Sequence, residues 1–288
     1  MSRERTSLAL AGVEAGFVCG LAWLPVAVLA ELAEPAAHES PAAALASVAG
    51  AAGADFAFVP ADAAWALEAV ERLREADIAT IWSVSGVLGR VGLELGWSEA
   101  LRLSAAEPGQ LAIALAEALN DALIEARVGL AAGADAILVA DDLAGATGPL
   151  LSPDFALDAL VPCYHHIALA VTAAEVPAIF HSDGDVRILM PALKRAGFSA
   201  IHLAGLSEEH WNVSYAAARA ERLAVVGGIE AMSVARGVRH AGEHAGRIAL
   251  ADGLLVCDDG GVTSADEVVA IAAAIDVARE VHAAGREY

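Results

Sequence analysis

Eight short apolar runs recur along the chain, each following or preceding helical periodicity, and several end in polar clusters. They fall at residues 22–28, 55–59, 78–84, 136–140, 178–181, 200–203, 224–226 and 253–256, the first being the weakest. The runs are apolar on both faces, as expected of strands in a parallel sheet covered by helices on both sides. Three junctions share one plan. Ala52-Gly53-Ala54-Asp55, Ala132-Gly133-Ala134-Asp135 and Ala196-Gly197-Phe198-Ser199 each stop a helical stretch at glycine just before a strand. Glycine closes a helix in the left-handed conformation without a Cβ penalty.

The helices mark their own ends. Glu107-Pro108 opens a long one that runs to about Ala132, with Leu111, Leu115, Leu119, Leu123 and Ala126 on one face. Ser152-Pro153-Asp154 is a cap followed by proline at the first helical position. Pro162 should kink or break the helix that follows. Ser264-Ala265-Asp266-Glu267 is a capping box for a last helix ending near Gly285. No linker or charge block divides the chain. The alternation therefore predicts an α/β protein, a single (β/α)8 TIM barrel over residues 1–288 with an N-terminal helical segment at about 1–20. A doubly wound open sheet is the second choice.

In such a barrel the functional groups gather at the carboxyl ends of the strands. There the chain offers Ser83-Val84-Ser85-Gly86, Asp141-Asp142, His181-Ser182-Asp183, His202, Gly228-Ile229-Glu230 and Cys257-Asp258-Asp259. His181 and Asp183 are two apart, so strand geometry points both to one side. An imidazole and a carboxylate there make half of a metal site or an acid–base pair; the plainer reading is a histidine that caps a turn. Asp141 and Asp142 are adjacent, so at most one faces the site, and capping of the next loop is the alternative. Cys257 is a zinc ligand as thiolate or a packed thiol. His202, Glu230 and Ser85 are candidates to bind substrate. His165-His166 reads as helix surface, and Trp82, Trp97 and Trp211 as packing, with pocket lining the alternative for Trp82 and Trp211.

Composition narrows the function. With 288 residues the chain carries a formal charge of −21, which argues against a nucleic-acid binder or an anionic membrane surface. Its 57% hydrophobic content is largely alanine. The uncharged stretch 15–30 holds Pro25 and two glycines between Glu14 and Glu31, and reads as helix and strand rather than a membrane span or signal peptide. Three widely spaced cysteines form no disulfide framework and point to a reducing cytoplasm. The only lysine, Lys194, lies on a helix, which removes Schiff-base chemistry inside a barrel. Asp258 and Asp259 would repel the phosphate that many barrels bind after their last strand.

Several segments in order carry a resemblance. They are Gly133-Ala134-Asp135-Ala136-Ile137-Leu138-Val139-Ala140-Asp141-Asp142, Gly148-Pro149-Leu150-Leu151-Ser152-Pro153, Val161-Pro162, Phe180-His181-Ser182-Asp183-Gly184, Gly227-Gly228-Ile229-Glu230 and Gly253-Leu254-Leu255-Val256. Together, over roughly residues 50–280, they resemble the uroporphyrinogen decarboxylase superfamily, and more closely its cobalamin-dependent methyltransferase branch. The resemblance implies an eight-stranded barrel and methyl transfer with a separate corrinoid protein, whose cobalamin approaches the carboxyl face. It also implies zinc. In branch members that use it, a His-x-Cys motif and a later cysteine hold the metal. Here His181 matches the histidine, Asp183 stands where the cysteine would be, and Cys257 lies near the later cysteine. The harder oxygen ligand suits an ether or methylated oxygen donor better than a thiolate.

The decarboxylases themselves carry an arginine-rich N-terminal motif, whereas here Arg3 and Arg5 are the only arginines before Arg72. The expectation is therefore a cytoplasmic corrinoid-linked methyltransferase, with a small methyl donor, or an acceptor such as a pterin or thiol, as substrate. His181, Asp183, Asp142 and Asp141 would do the chemistry, and His181, Asp183 and Cys257 would hold zinc. The alternatives are a cofactor-free lyase or decarboxylase acting on a small acid, with Asp142 and His181 as acid and base, and a non-catalytic corrinoid- or ligand-binding barrel. A homodimer is compatible with a barrel of this size.

Overall fold

Glycines 53, 133 and 197 do close helices, at φ of 62°, 84° and 114°, and a strand follows each within a few residues. The computed structural model describes residues 2–145, 148–234, 237–250 and 253–286. Its strands are β1 (Gly20–Leu21), β2 (Phe56–Pro60), β3 (Ala79–Ser85), β4 (Ala136–Ala140), β5 (Ala178–Asp183), β6 (Ala200–Ala204), β7 (Ala224–Ile229) and β8 (Leu254–Asp258). They form one eight-stranded sheet in chain order, the arrangement of a single (β/α)8 barrel. The first strand corrects the sequence expectation. Leu21 pairs with Ala57 of β2, but the apolar residues after it do not continue the strand. Pro25, with φ of −62°, instead caps a helix over Val26–Leu32 that buries Val28 and Leu29. Apolar runs buried as strand or as helix look alike in sequence, and proline at a helix start decides between them.

Contacts group the fold into two units, residues 1–81 with 224–288 and residues 82–223. In the first, β1 pairs with β2, β7 with β8 in register from Leu254↔Val225 to Asp258↔Ile229, and Cys19 bridges to Val256. The capping box at Ser264 and Glu267 starts the last helix, Ala265–Gly285. That helix crosses Val238–Ala249 closely enough that a Cβ on Gly242 or Gly246 would meet backbone, 2.5 Å from the Ala274 oxygen or 2.6 Å from the Ala278 oxygen.

In the second unit, β4, β5 and β6 pair side by side and in parallel, with Ala140↔His181 and His181↔His202 as register partners. The helix Pro108–Ala132 buries Leu111, Leu115, Ala118, Ala122, Ala126 and Gly129. Leu119 and Leu123, expected on that face, are only half-buried, because alanine and glycine let the helix sit close. Trp82 occupies the space left by Gly129 and donates its indole N–H to the Glu125 carbonyl at 3.1 Å. Around Pro162 the helix neither ends nor simply kinks. It runs as Pro153–Phe155, a π segment Ala156–Leu160, then Val161–Thr172, which accommodates the missing proline N–H by widening a turn. This run is the one helix among the described residues long and apolar enough to cross a bilayer; it buries Tyr164, Ile167, Ala168 and Val171. A short antiparallel ladder, Ala144–Gly145 with Gly148–Pro149, follows β4 and has no counterpart in the sequence reading.

One substitution type should change sign with position. Gly50 lies in the helix Pro41–Ala51 with open space around it, so Gly50→Ala should raise stability by up to about 1 kcal/mol. Gly246→Ala gains the same propensity but forces two helices apart, at about 1–3 kcal/mol, and should lower Tm. Urea unfolding of both variants checks this; the same sign for both would contradict the packing described.

Candidate functional site

β5 alternates its burdens. Ser182 is fully buried, where its hydroxyl accepts from the Leu143 N–H at 2.9 Å and donates to the Asp183 carbonyl at 2.7 Å. His181 and Asp183 point the other way, as two-residue spacing on a strand requires. Gly184 follows at φ of 77°, and a Cβ there would collide with the Gly145 carbonyl. The Gly184 N–H donates to Ala204 and the Asp185 N–H to Gly145, both at 3.0 Å, while Arg187 forks onto the Asp185 carboxylate at 2.8 and 2.6 Å. The end of β5 is thus pinned from β6 on one side and from the chain beyond β4 on the other.

Three ligand-type groups meet there. His181 Nε2 lies 3.7 Å from Asp142 Oδ1 and 4.0 Å from Asp183 Oδ1, and the Asp183 N–H donates to Asp142 Oδ1 at 3.0 Å. One donor atom from each of the three falls within 4.8 Å of the others. The carboxylate side chains are half-exposed while the imidazole is buried. Burial pushes His181 down to about 4, against a hydrogen bond with His202 that raises it, so the ring is neutral near pH 7. Burial first, and then the charge of Asp142, pushes Asp183 up. Two carboxylate oxygens and a neutral imidazole nitrogen are a ligand set suited to a divalent ion such as zinc.

Asp141, adjacent in sequence, has a different task. It is fully buried, and its carboxylate accepts from the Leu88 N–H at 2.9 Å, the Gly89 N–H at 2.7 Å and the Tyr164 hydroxyl at 2.7 Å. Those amides open the helix Val87–Leu95, whose first N–H groups have no partner within the helix. A Cβ on Gly86 would strike this carboxylate. Burial pushes Asp141 up to about 6 against the three hydrogen bonds, and burial with the Asp141 charge raises Tyr164 further. Tyr164 escaped the sequence reading; its mark was a hydroxyl on the buried face of the helix after Pro162, beside Ile167, Ala168 and Val171.

His202 is fully buried against His181, rings 4.8 Å apart, so it reaches the site through that imidazole. Ser85 is exposed at the end of β3, where its carbonyl accepts from Arg90 at 3.0 Å. His165 and His166 are exposed, as expected of a helix surface.

The sequence profile of the uroporphyrinogen decarboxylase (URO-D) family matches residues 52–248. The chain belongs to this family. A methyltransferase from Methanosarcina mazei is similar in structure to this URO-D family member, with a TM-score of 0.73 at 19% identity, covering 96% of this chain and 98% of that one. A chitinase from Chromobacterium violaceum is similar with a TM-score of 0.52 at 11% identity, covering 90% and 99%. No curated protein matches the chain.

The remaining candidates of the URO-D family member belong to its first unit. Glu230 is exposed just beyond β7. Cys257 is fully buried in β8 with its sulfur 3.9 Å from Asp258 Oδ2; burial, then the Asp258 charge, holds its thiol well above the usual value. A thiol in that setting is protonated near neutrality in the metal-free chain. Asp258 accepts from the Ala22 N–H at 2.9 Å and the Gly260 N–H at 3.0 Å. Asp259 accepts from the Ala231 N–H at 2.9 Å and is pushed up to about 7, mainly by burial.

Removing the Asp141 carboxylate leaves two amides and a hydroxyl unpaired in the interior. Asp141→Ala should therefore cost roughly 3 kcal/mol or more in urea unfolding, and Tyr164→Phe about 1 kcal/mol. Stability unchanged in Asp141→Ala would show that the carboxylate does not hold the helix. Asp259 has its folded pKa above the unfolded value, so the native state keeps its proton longer. Its contribution to stability is then fully present below about pH 4 and is lost as pH rises through about 7. Asp259→Asn keeps an acceptor for Ala231 and should flatten that decline in thermal unfolding between pH 4 and 8; an unchanged profile would assign it to other groups.

Proposed function

We propose that this protein is a methyltransferase that moves a methyl group between a small substrate and a corrinoid carried by a partner protein. One observation carries the reading: Asp142, His181 and Asp183 converge within 4.8 Å in a URO-D family chain. The likeness to the M. mazei methyltransferase over 96% of the chain supports it. Asp142, His181 and Asp183 would hold a zinc ion, which supplies Lewis acidity to the heteroatom that bears or receives the methyl group.

The chain's own residues do the rest. His181 offers a lone pair because burial keeps it neutral. Ser182, Gly184 and the fork of Arg187 on Asp185 fix the end of β5, so the three ligand groups keep their spacing. Asp141 and Tyr164 fix the end of β4 and with it Asp142. Displacement at a methyl carbon needs nucleophile, carbon and leaving atom in line, which rewards a rigid frame. Two oxygen ligands favour a methylated oxygen over a thiolate as substrate atom. The −21 charge favours docking of a partner with a basic rim.

The second reading is a metal-free lyase or decarboxylase acting on a small acid. The neutral His181 beside Asp142, 3.7 Å away, is what favours it. Metal analysis of the purified protein separates the two. The methyltransferase reading expects about one zinc per chain, and a change in the absorbance of cob(I)alamin or methylcobalamin with O-methyl donors or acceptors. His181→Ala should lower that rate at least a hundredfold with its folded state retained in circular dichroism. A metal-free protein that leaves both corrinoids unchanged, or full activity in His181→Ala, would overturn the proposal.

A further inference from the structure

The ligand imidazole of the proposed site rests on a second imidazole. In the parallel pair β5–β6, His181 and His202 are register partners, so their side chains emerge on the same face. The rings stack at 29° with centroids 4.8 Å apart, and the two Nδ1 atoms are 2.9 Å from each other. Both residues are buried, His202 completely. An imidazole taken out of water needs its hydrogen-bonding atoms satisfied, so this contact carries weight. Between two nitrogens at that distance one hydrogen is shared: one ring donates and the other accepts.

Which ring donates decides what the other nitrogen of His181 can do. If His202 were the donor, His181 would carry its hydrogen on Nε2, facing two carboxylates. A charge-assisted N–H···O contact would then draw in to about 2.7–2.9 Å. The observed separations are 3.7 and 4.0 Å, beyond hydrogen-bond length.

We propose that His202 is the positioning residue of the site: it accepts the Nδ1 hydrogen of His181, fixes the ring, and leaves the Nε2 lone pair turned toward Asp142 and Asp183. The metal arm of this inference rests on the reading in the previous subsection, while the hydrogen-bond arm stands without it. Metal-bound histidines are characteristically held in this way through their second nitrogen, and loss of that support lowers metal affinity about 10–100-fold. Here an imidazole takes the place more often held by a carboxylate or carbonyl.

Two measurements test it. The first uses the wild-type, metal-free chain labelled with ¹⁵N, and two-bond nitrogen–proton spectra near pH 7.5, with His181→Gln to assign the resonance. A protonated Nδ1 and bare Nε2 on His181 support the proposal; a protonated Nε2 overturns it, whether or not any metal binds. The second titrates Zn²⁺ and Co²⁺ into wild type, His202→Phe and His202→Gln. His202→Phe keeps an aromatic ring in place without an acceptor and should weaken Zn²⁺ binding about 10–100-fold; His202→Gln, which can accept through its amide oxygen, should recover most of it. Equal affinity in wild type and a folded His202→Phe overturns the positioning role. Failure of the wild type to bind either ion refutes the metal reading instead, and leaves the nitrogen spectra to decide on His202.

Discussion

A buried carboxylate that satisfies three donors sets the geometry of this site. Asp141 stands at the end of β4, closed off from water, and takes up the Leu88 and Gly89 amides and the Tyr164 hydroxyl. Burying such a group is unfavourable unless its acceptors are filled. Once they are, the end of β4, the start of the helix Val87–Leu95 and the first turn of the helix Val161–Thr172 are tied to one atom cluster. The next residue then has little choice. Asp142 turns outward, and its backbone-anchored position brings Oδ1 within reach of the Asp183 N–H.

The same division of labour recurs along the neighbouring strands. On β5, Ser182 faces inward and stitches β5 to the chain beyond β4, leaving His181 and Asp183 on the other side. On β6, His202 faces the same way as His181 but lies deeper, filling the space under it. Each reactive group is therefore one residue away from, or stacked upon, a group whose task is structural. Strand pleat alone produces this alternation, and small residues permit the close approaches: a side chain at 86 would displace Asp141, and one at 184 would displace the Gly145 backbone.

Much of this was written in the chain, because the features concerned are local. Glycine-closed helices, apolar runs buried on both faces and the capping box at Ser264 follow from conformational preference and burial. The misreading of residues 22–28 also has a local cause: a buried helix and a buried strand share one apolar composition, and only Pro25 distinguishes them. What the sequence could not show depends on pairings between distant residues. Which of Asp141 and Asp142 turns inward is settled by Tyr164, 23 residues on, and by amides 53 and 52 residues back. The stacking of His181 on His202 depends on the register of two strands 21 residues apart, which no spacing rule supplies. Likewise the acidity of Cys257 is a matter of its burial beside Asp258, invisible in a run that reads Val-Cys-Asp.

Charge balance gives the strongest physical reason for a cation at the end of β5. Asp142 accepts the Asp183 N–H, burial and then the Asp142 charge push the Asp183 carboxyl up, and His181 beside them stays neutral. Left alone, such a pair relieves itself by holding a proton on one carboxyl or by drawing water over its exposed edge. The proposed divalent ion would remove the repulsion outright and turn the neutral imidazole into a ligand. Cysteine at 183 would have brought a softer donor, with the preference for thiolate substrates that goes with it. Under the proposed reading, aspartate there would favour hard, oxygen-centred chemistry. The Asp142 and Asp183 carboxylates are half-exposed, whereas Asp141 and His202 are buried.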